Sequence, residues 1–272
     1  MDIRNLQFKC FYLEVLLVLG FLDVSCVKIN RLLVPEIASQ AKPPVILDCD
    51  YSLENPGKDE GLVVKWFFNE RMYPVYQWIP DAKPQELGIL KGRLDLSYKA
   101  STDRLKMYRA LKIEKLGPEL EGNYTCTVST FLSEDSKSGG MLVFIPEKSL
   151  ELKYPPLWEG TDNNSKIVCY VENIYPRPRL RLFLNESEIE NATMNYLELT
   201  SGLYNVELVA AVKNLTDGTS ILCELNVDMA NYTIRKEAIY YKVWNSSNNN
   251  ARGHRLFLRL FFVVFVMYCF IL

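Results

Sequence analysis

The sequence predicts an all-β protein made of two tandem sandwiches. Three observations carry that expectation. Four of the cysteines fall into two well-separated pairs, Cys49/Cys126 and Cys169/Cys223. Apolar and polar residues alternate around each pair, the period-two mark of half-buried strands. Around the first pair, Trp66 and then Tyr124-Thr125-Cys126 follow Cys49 in the order cysteine, tryptophan, Tyr-x-Cys. That order is the signature of immunoglobulin-like sandwiches, in which a disulfide joins two packed sheets and a tryptophan lies against it. The expected fold is therefore two tandem immunoglobulin-like domains, the first variable- or I-type and the second constant-like.

The chain begins with a candidate secretory signal peptide, residues 1–26. Arg4 and Lys9 precede an apolar run from Val15 to Leu22, and Val24, Ser25 and Cys26 make a small-residue exit. Cleavage after Cys26 is favoured; a buried N-terminal helix is the alternative. The first domain is expected over 30–147. Val45-Ile46-Leu47-Asp48-Cys49 alternates, Trp66 sits inside the run Leu62 to Phe68, and Leu111-x-Ile113-x-x-Leu116 precedes the Tyr-x-Cys strand. Tyr124 is expected to turn its hydroxyl back to the backbone as a tyrosine corner. The position four residues before it, commonly Asp in such domains, is Leu120. Arg93 on the expected D strand is thereby predicted to lack its ion-pair partner. The long separation of Cys49 and Cys126 leaves room for extra strands, as in variable-type domains.

The second domain is expected over 148–244. Cys169 lies in a strand from Lys166 to Val171, and Tyr175-Pro176-Arg177-Pro178 reads as a turn. Leu180, Leu182 and Leu184 then alternate with Arg179, Arg181 and Phe183, which places the leucines inward. No tryptophan occupies the expected core position; Leu182 is predicted to fill it. Ile221 stands where a corner tyrosine would be.

A short stalk, 245–251, leads to a C-terminal segment, 252–272. The apolar run Leu260 to Leu272 would span about 20 Å as a helix, short of the roughly 30 Å hydrocarbon core. Small residues, a polar spacer and a short apolar tail fit a signal for a glycolipid (GPI) anchor. Asn249 is the expected attachment residue, with Ser247 as the runner-up, and a short transmembrane stub is the alternative to an anchor. Processing at both ends would remove Cys10, Cys26 and Cys269 and leave the seven cysteines as four, which resolves an odd count in an oxidising compartment.

Composition narrows the function. The net charge of −2 and the absence of a central basic block disfavour nucleic acid as a partner. The single histidine, His254, lies in the segment that anchoring would discard. Histidine-based triads and histidine-ligated zinc sites are then excluded from the mature protein. No phosphate loop is present, and no carboxylate spacing points to hydrolysis. The expectation is a non-enzymatic protein with no cofactor, no metal and no small-molecule substrate.

Sequons begin at Asn123, Asn163, Asn185, Asn191, Asn214, Asn231 and Asn245, none with proline in the middle. Five of the seven fall in the second domain, which reads as a glycan-sheathed spacer. In the first domain, alternation places Phe67 outward and Trp66 inward. The segment Tyr73 to Pro80 reads as an aromatic strand C′ at the sheet edge. The expected binding face comprises Phe67, Tyr76, Trp78, Ile79, Thr130 and Phe131. The alternative is that Tyr76 or Trp78 folds over the core edge.

Several stretches of the first domain carry a family resemblance. They are Lys65-Trp66-Phe67, Val75-Tyr76-x-Trp78-Ile79-Pro80 with Pro84, Gly122-x-Tyr124-x-Cys126-x-Val128-Ser129, and the run Ser136 to Pro146. In these the chain resembles the beaten path proteins of arthropods, two-immunoglobulin surface or secreted proteins of the nervous system. The resemblance covers roughly residues 45–147 and the second domain only loosely, where the missing tryptophan departs from it. It implies heterophilic binding through the first domain to other immunoglobulin-superfamily receptors, such as the sidestep-like group. It also implies a role in axon guidance or neuronal cell recognition. The expected location is the outer face of the plasma membrane through a lipid anchor, with a secreted, diffusible ligand or decoy as the alternative.

Overall fold

The computed structural model describes residues 27–53, 60–70, 72–154, 165–213 and 215–241. The expected signal peptide, the sequons Asn163, Asn214 and Asn245, and the tail with Ser247 and Asn249 lie outside the described residues. The chain divides into two compact units. The first runs to Lys148 and also takes in Asn173–Arg177 and Glu198–Tyr204; the second begins at Ser149 and holds the remainder. Both are all-β, with 3-10 turns as the only helical pieces among the described residues.

The first unit opens with β1 (Val27–Leu33), β2 (Ile37–Ser39), β3 (Val45–Leu53), β4 (Val63–Phe68), β5 (Tyr76–Trp78) and β6 (Gln85–Glu86). It continues with β7 (Leu111–Ile113), β8 (Gly122–Ser129) and β9 (Glu134–Phe144). One sheet has the order β1-β3-β7, the other β2-β9-β8-β4-β5-β6. The six-stranded sheet, with two strands beyond β4, is the variable-type arrangement. Every second residue points into the core, as the pleat requires. On β4 these are Val64, Trp66 and Phe68; on β8 they are Tyr124, Cys126 and Val128.

Cys49 and Cys126 are bonded across the two sheets. Trp66 pairs with Cys126 in the β4/β8 ladder, so the indole lies beside the disulfide. Burying such a ring removes roughly 200 Å² from water, worth about 5 kcal/mol as an upper estimate. The Tyr124 hydroxyl donates to the Leu120 carbonyl at 2.9 Å, and the corner forms as expected. Arg93 is a correction. It is not left without a carboxylate, because Glu119, one position before the buried Leu120, meets its guanidinium at 2.5 Å.

Residues 95–110 form no long strand, although Leu94 bridges to Ile113. Backbone carbonyls buried without partners are costly. Here three aromatic donors from the core satisfy them: Tyr51 to the Leu105 carbonyl, Tyr76 to that of Tyr108 at 2.6 Å, and Trp66 Nε1 to that of Arg109 at 3.2 Å. Arg109 in turn forks onto Asp48 and Asp50 of β3. Burial opposes its charge, yet these carboxylates hold its pKa above the ordinary value.

The second unit contains β10 (Ser149–Lys153), β11 (Ser165–Ile174), β12 (Arg179–Leu184), β13 (Ser187–Glu188), β14 (Ala192–Glu198), β15 (Tyr204–Val212), β16 (Thr219–Val227) and β17 (Tyr232–Tyr240). The sheets run β10-β11-β15-β14 and β13-β12-β16-β17. Cys169 and Cys223 join them. Leu182 pairs with Cys223 and is buried, as the alternation predicted. Glu224, only 3% exposed, is met by Arg181 and by Arg235 from the two flanking strands. Burial alone would raise its pKa; the hydrogen bonds from Arg235 and Arg181 outweigh that and hold it below the ordinary glutamate value.

Candidate functional site: the outer face of the six-stranded sheet

Strand register decides what this sheet shows on its outer side. Val64 pairs with both Trp78 and Val128, and all three are buried. Their neighbours Val63, Ile79 and Ser129 therefore face out together, in one row across the sheet. The next outward row holds Gln77, Lys65, Thr127 and Ser136. A third joins Phe67, Thr125 and Ser138; the Thr125 and Ser138 hydroxyls lie 2.7 Å apart. Between the apolar residues, Thr125, Thr127, Ser136 and Ser138 are short and uncharged, while Lys65, Gln77 and Glu134, the partner of Ser129, are the longer polar side chains.

Beyond the first row, the β8–β9 hairpin carries Thr130, Phe131 and Leu132. The Thr130 amide donates to the Ser133 carbonyl at 2.8 Å, and the Phe131 amide to the Glu60 carbonyl at 3.1 Å. Phe131 is 79% exposed and Leu132 65%, and the phenyl ring rests over Gly61. It lies so close over Gly61 that a Cβ there would fall 2.5 Å from a ring carbon, and the Gly61 φ of +73° also favours glycine. A large apolar side chain is thus displayed to solvent beside the outer face.

The sequence-predicted residues divide on this map. Phe67 and Ile79 face out on the sheet, with Thr130 and Phe131 at the adjoining hairpin. Tyr76 and Trp78 are corrections: each is 2% exposed and belongs to the core. Tyr76 pairs with Trp66, and Trp78 meets Tyr108 edge-on at 5.8 Å between centroids, so both take the inner side of the pleat. Their aromatic character made them look like surface anchors, whereas register makes them core. Alternation from Cys126 already places Thr127 outward, as the structure has it. Val63, Gln77 and Leu132 escaped notice; alternation alone would have found Val63, once Trp66 was set inward.

Among the described sequons, Asn123 lies at the far end of the same face, six residues along β8 from Ser129, or about 20 Å. In the second unit, Asn185, Asn191 and Asn231 are exposed at strand connections. Asn185 also accepts the Ser220 amide through its side-chain oxygen at 2.9 Å. No group of three potential ligands for a metal ion occurs among the described residues. No helix among them is long and apolar enough to cross a membrane.

No protein-family model matches the sequence, and no curated protein matches it. Solved structures do. Bovine butyrophilin is similar at a TM-score of 0.59 and 15% identity, over 79% of this chain and 98% of that one. An amphioxus IgVJ-C2 molecule gives 0.48 and 17%, over 75% and 99%. The extracellular portion of mouse CD200RLa gives 0.45 and 16%, over 66% and 87%. At 15% identity the likeness to butyrophilin shows the fold alone. Fold and disulfides together define a protein of two tandem immunoglobulin-like β-sandwiches.

Proposed function

We propose that this chain is a cell-surface recognition or adhesion protein that binds another protein through the outer face of its first unit. The observation that carries the reading is Phe131, a large apolar side chain displayed to solvent at the hairpin that adjoins the outward face. Aromatic side chains are the residue type enriched among interface anchors. Ile79 and Val63 extend the apolar area beside it, and the small polar side chains toward Phe67 let a second sheet approach closely. Catalysis has no part in this reading.

The finer features follow from the sequence. The partner is a cell-surface protein of the immunoglobulin superfamily, sidestep-like by the resemblance to the beaten path proteins, and the setting is axon guidance or neuronal recognition. Residues 1–26 direct secretion. Asn249, or Ser247, carries a GPI anchor that holds the chain at the outer face of the plasma membrane. The sequons of the second unit carry glycans, so that unit serves as a spacer, and a sugar on Asn123 leaves the Phe131 end of the first unit open.

The test is an ectodomain binding screen against surface immunoglobulin proteins, followed by variants of the captured pair. Phe131→Ser and Ile79→Ser should each weaken capture at least tenfold while the unfolding midpoint holds. Wild-type capture by both refutes the placement of the site. Release from expressing cells by phosphatidylinositol-specific phospholipase tests the anchor separately, and retention after treatment rejects it.

A further inference from the structure

The first unit has a concavity that the recognition reading does not use. A cavity of about 560 Å³ opens between the turn after β5 and the irregular segment 95–110. Small-ligand sites commonly measure roughly 300–1,000 Å³. Its apolar lining comes chiefly from Trp78, Pro84, Leu96, Met107 and Tyr108. The cavity exists because segment 95–110 leaves the β-ladder at the sheet edge, so no regular strand fills the space beside β5 and β6.

Three features make it more than a surface dent. The far wall is fixed in place, since the donors Tyr51, Tyr76 and Trp66 hold the carbonyls of Leu105, Tyr108 and Arg109. Burial pushes the Tyr51 and Tyr76 hydroxyl pKa values well up, so both remain donors at any physiological pH. Second, Trp78 Nε1 is buried and has no hydrogen-bond partner among the described residues, so the indole meets the cavity through its ring carbons and adds apolar surface there. Third, the rim charges do not cancel. Arg104 bridges Asp81 at 2.5 Å across the mouth, and this pair is neutral as a unit. Lys83 also lines the cavity and has no ion pair among the described residues.

We propose that this cavity binds an amphipathic monoanion, with an apolar, drug-sized body on Trp78, Leu96, Met107 and Tyr108 and its single acidic head at Lys83. The site is separate from the recognition face, and the proposal stands or falls independently of it.

The probe is 1-anilinonaphthalene-8-sulfonate, titrated into the mature protein as animal cells produce it, labelled with ¹⁵N-tryptophan. Binding should saturate at one dye per chain, and the Trp78 indole N–H resonance, assigned with Trp78→Phe, should move while that of Trp66 does not. Ala82→Trp, which fills the cavity from an exposed position, should weaken binding at least tenfold without loss of fold. Lys83→Glu should weaken it about tenfold, and the uncharged N-phenyl-1-naphthylamine should bind about tenfold less tightly than the sulfonate. A static Trp78 resonance at dye saturation, or unchanged affinity in Ala82→Trp, overturns the site. Equal affinity for the charged and uncharged dyes overturns the assignment of an anionic ligand.

Discussion

Trp66 in the first unit and Leu182 in the second hold equivalent places. Each pairs across the ladder with the second cysteine of its disulfide, Cys126 and Cys223 respectively. Around Trp66 the core is aromatic and its hydroxyl and indole donors hold an irregular segment in place. Around Leu182 the ladders are regular; β16 and β17 pair without a break from Thr219–Tyr240 to Val227–Tyr232. A regular sheet satisfies its own backbone and needs no aromatic donors. The first unit gave up that regularity over 95–110 and gained a cavity and a varied edge. The difference separates a unit with an irregular, pocketed edge from one built of regular ladders.

The disulfides are where the two units should behave alike. The closed loops differ, at separations of 77 and 54, but length enters only as a logarithm. Replacing either cysteine pair by alanine should cost about 4 kcal/mol in the loop-entropy account. Denaturant unfolding of each double variant measures this, and a twofold disparity would break the equivalence.

The tryptophan should set the units apart. Trp66→Leu installs the residue type that the second unit uses, yet should cost the first about 3 kcal/mol. It removes ring burial and leaves the Arg109 carbonyl without its indole donor. A cost under about 1 kcal/mol would mean that the aromatic clamp contributes little.

Charge should matter most inside the second unit. Glu224→Gln should cost about 1–2 kcal/mol, since Arg181 and Arg235 are partly exposed and regain water. The pKa of Glu224 is lower folded than unfolded. Its stabilisation is thus fully present above the unfolded value near 4.5 and is lost as pH falls through the folded one. Wild-type and Glu224→Gln stabilities should converge on acidification from pH 5. The smallest effect belongs to the first unit's exposed pair: Arg93→Ala should cost under about 1 kcal/mol, because solvent screens Arg93 and Glu119.

Much of this was legible in the sequence because it depends on local pattern. Cysteine, tryptophan and Tyr-x-Cys placed the first core, and period two put Leu180 and Leu182 inward in the second. Register was not legible. Whether Tyr76 and Trp78 face in or out depends on how the connection after β4 returns, and a one-residue slip reverses every side chain. The partner of Arg93 was missed for a related reason: the 3-10 turn Pro118–Leu120 sets Glu119 toward it and buries Leu120. Segment 95–110 has neither helical nor strand periodicity, so its role as a cavity wall emerges only from the aromatic donors that pin it.

The most direct test of recognition through the outer face is to cover it. Thr127 faces outward in the middle row, and Ser129 stands two residues further along the same strand. Thr127→Asn therefore creates a sequon in the centre of the face, with Val128 as its middle residue and Ser129 as its third. With the added glycan verified by mass, the variant should keep its unfolding midpoint and lose capture of the surface protein that the wild type binds. Capture at wild-type strength by the glycosylated variant would contradict the account.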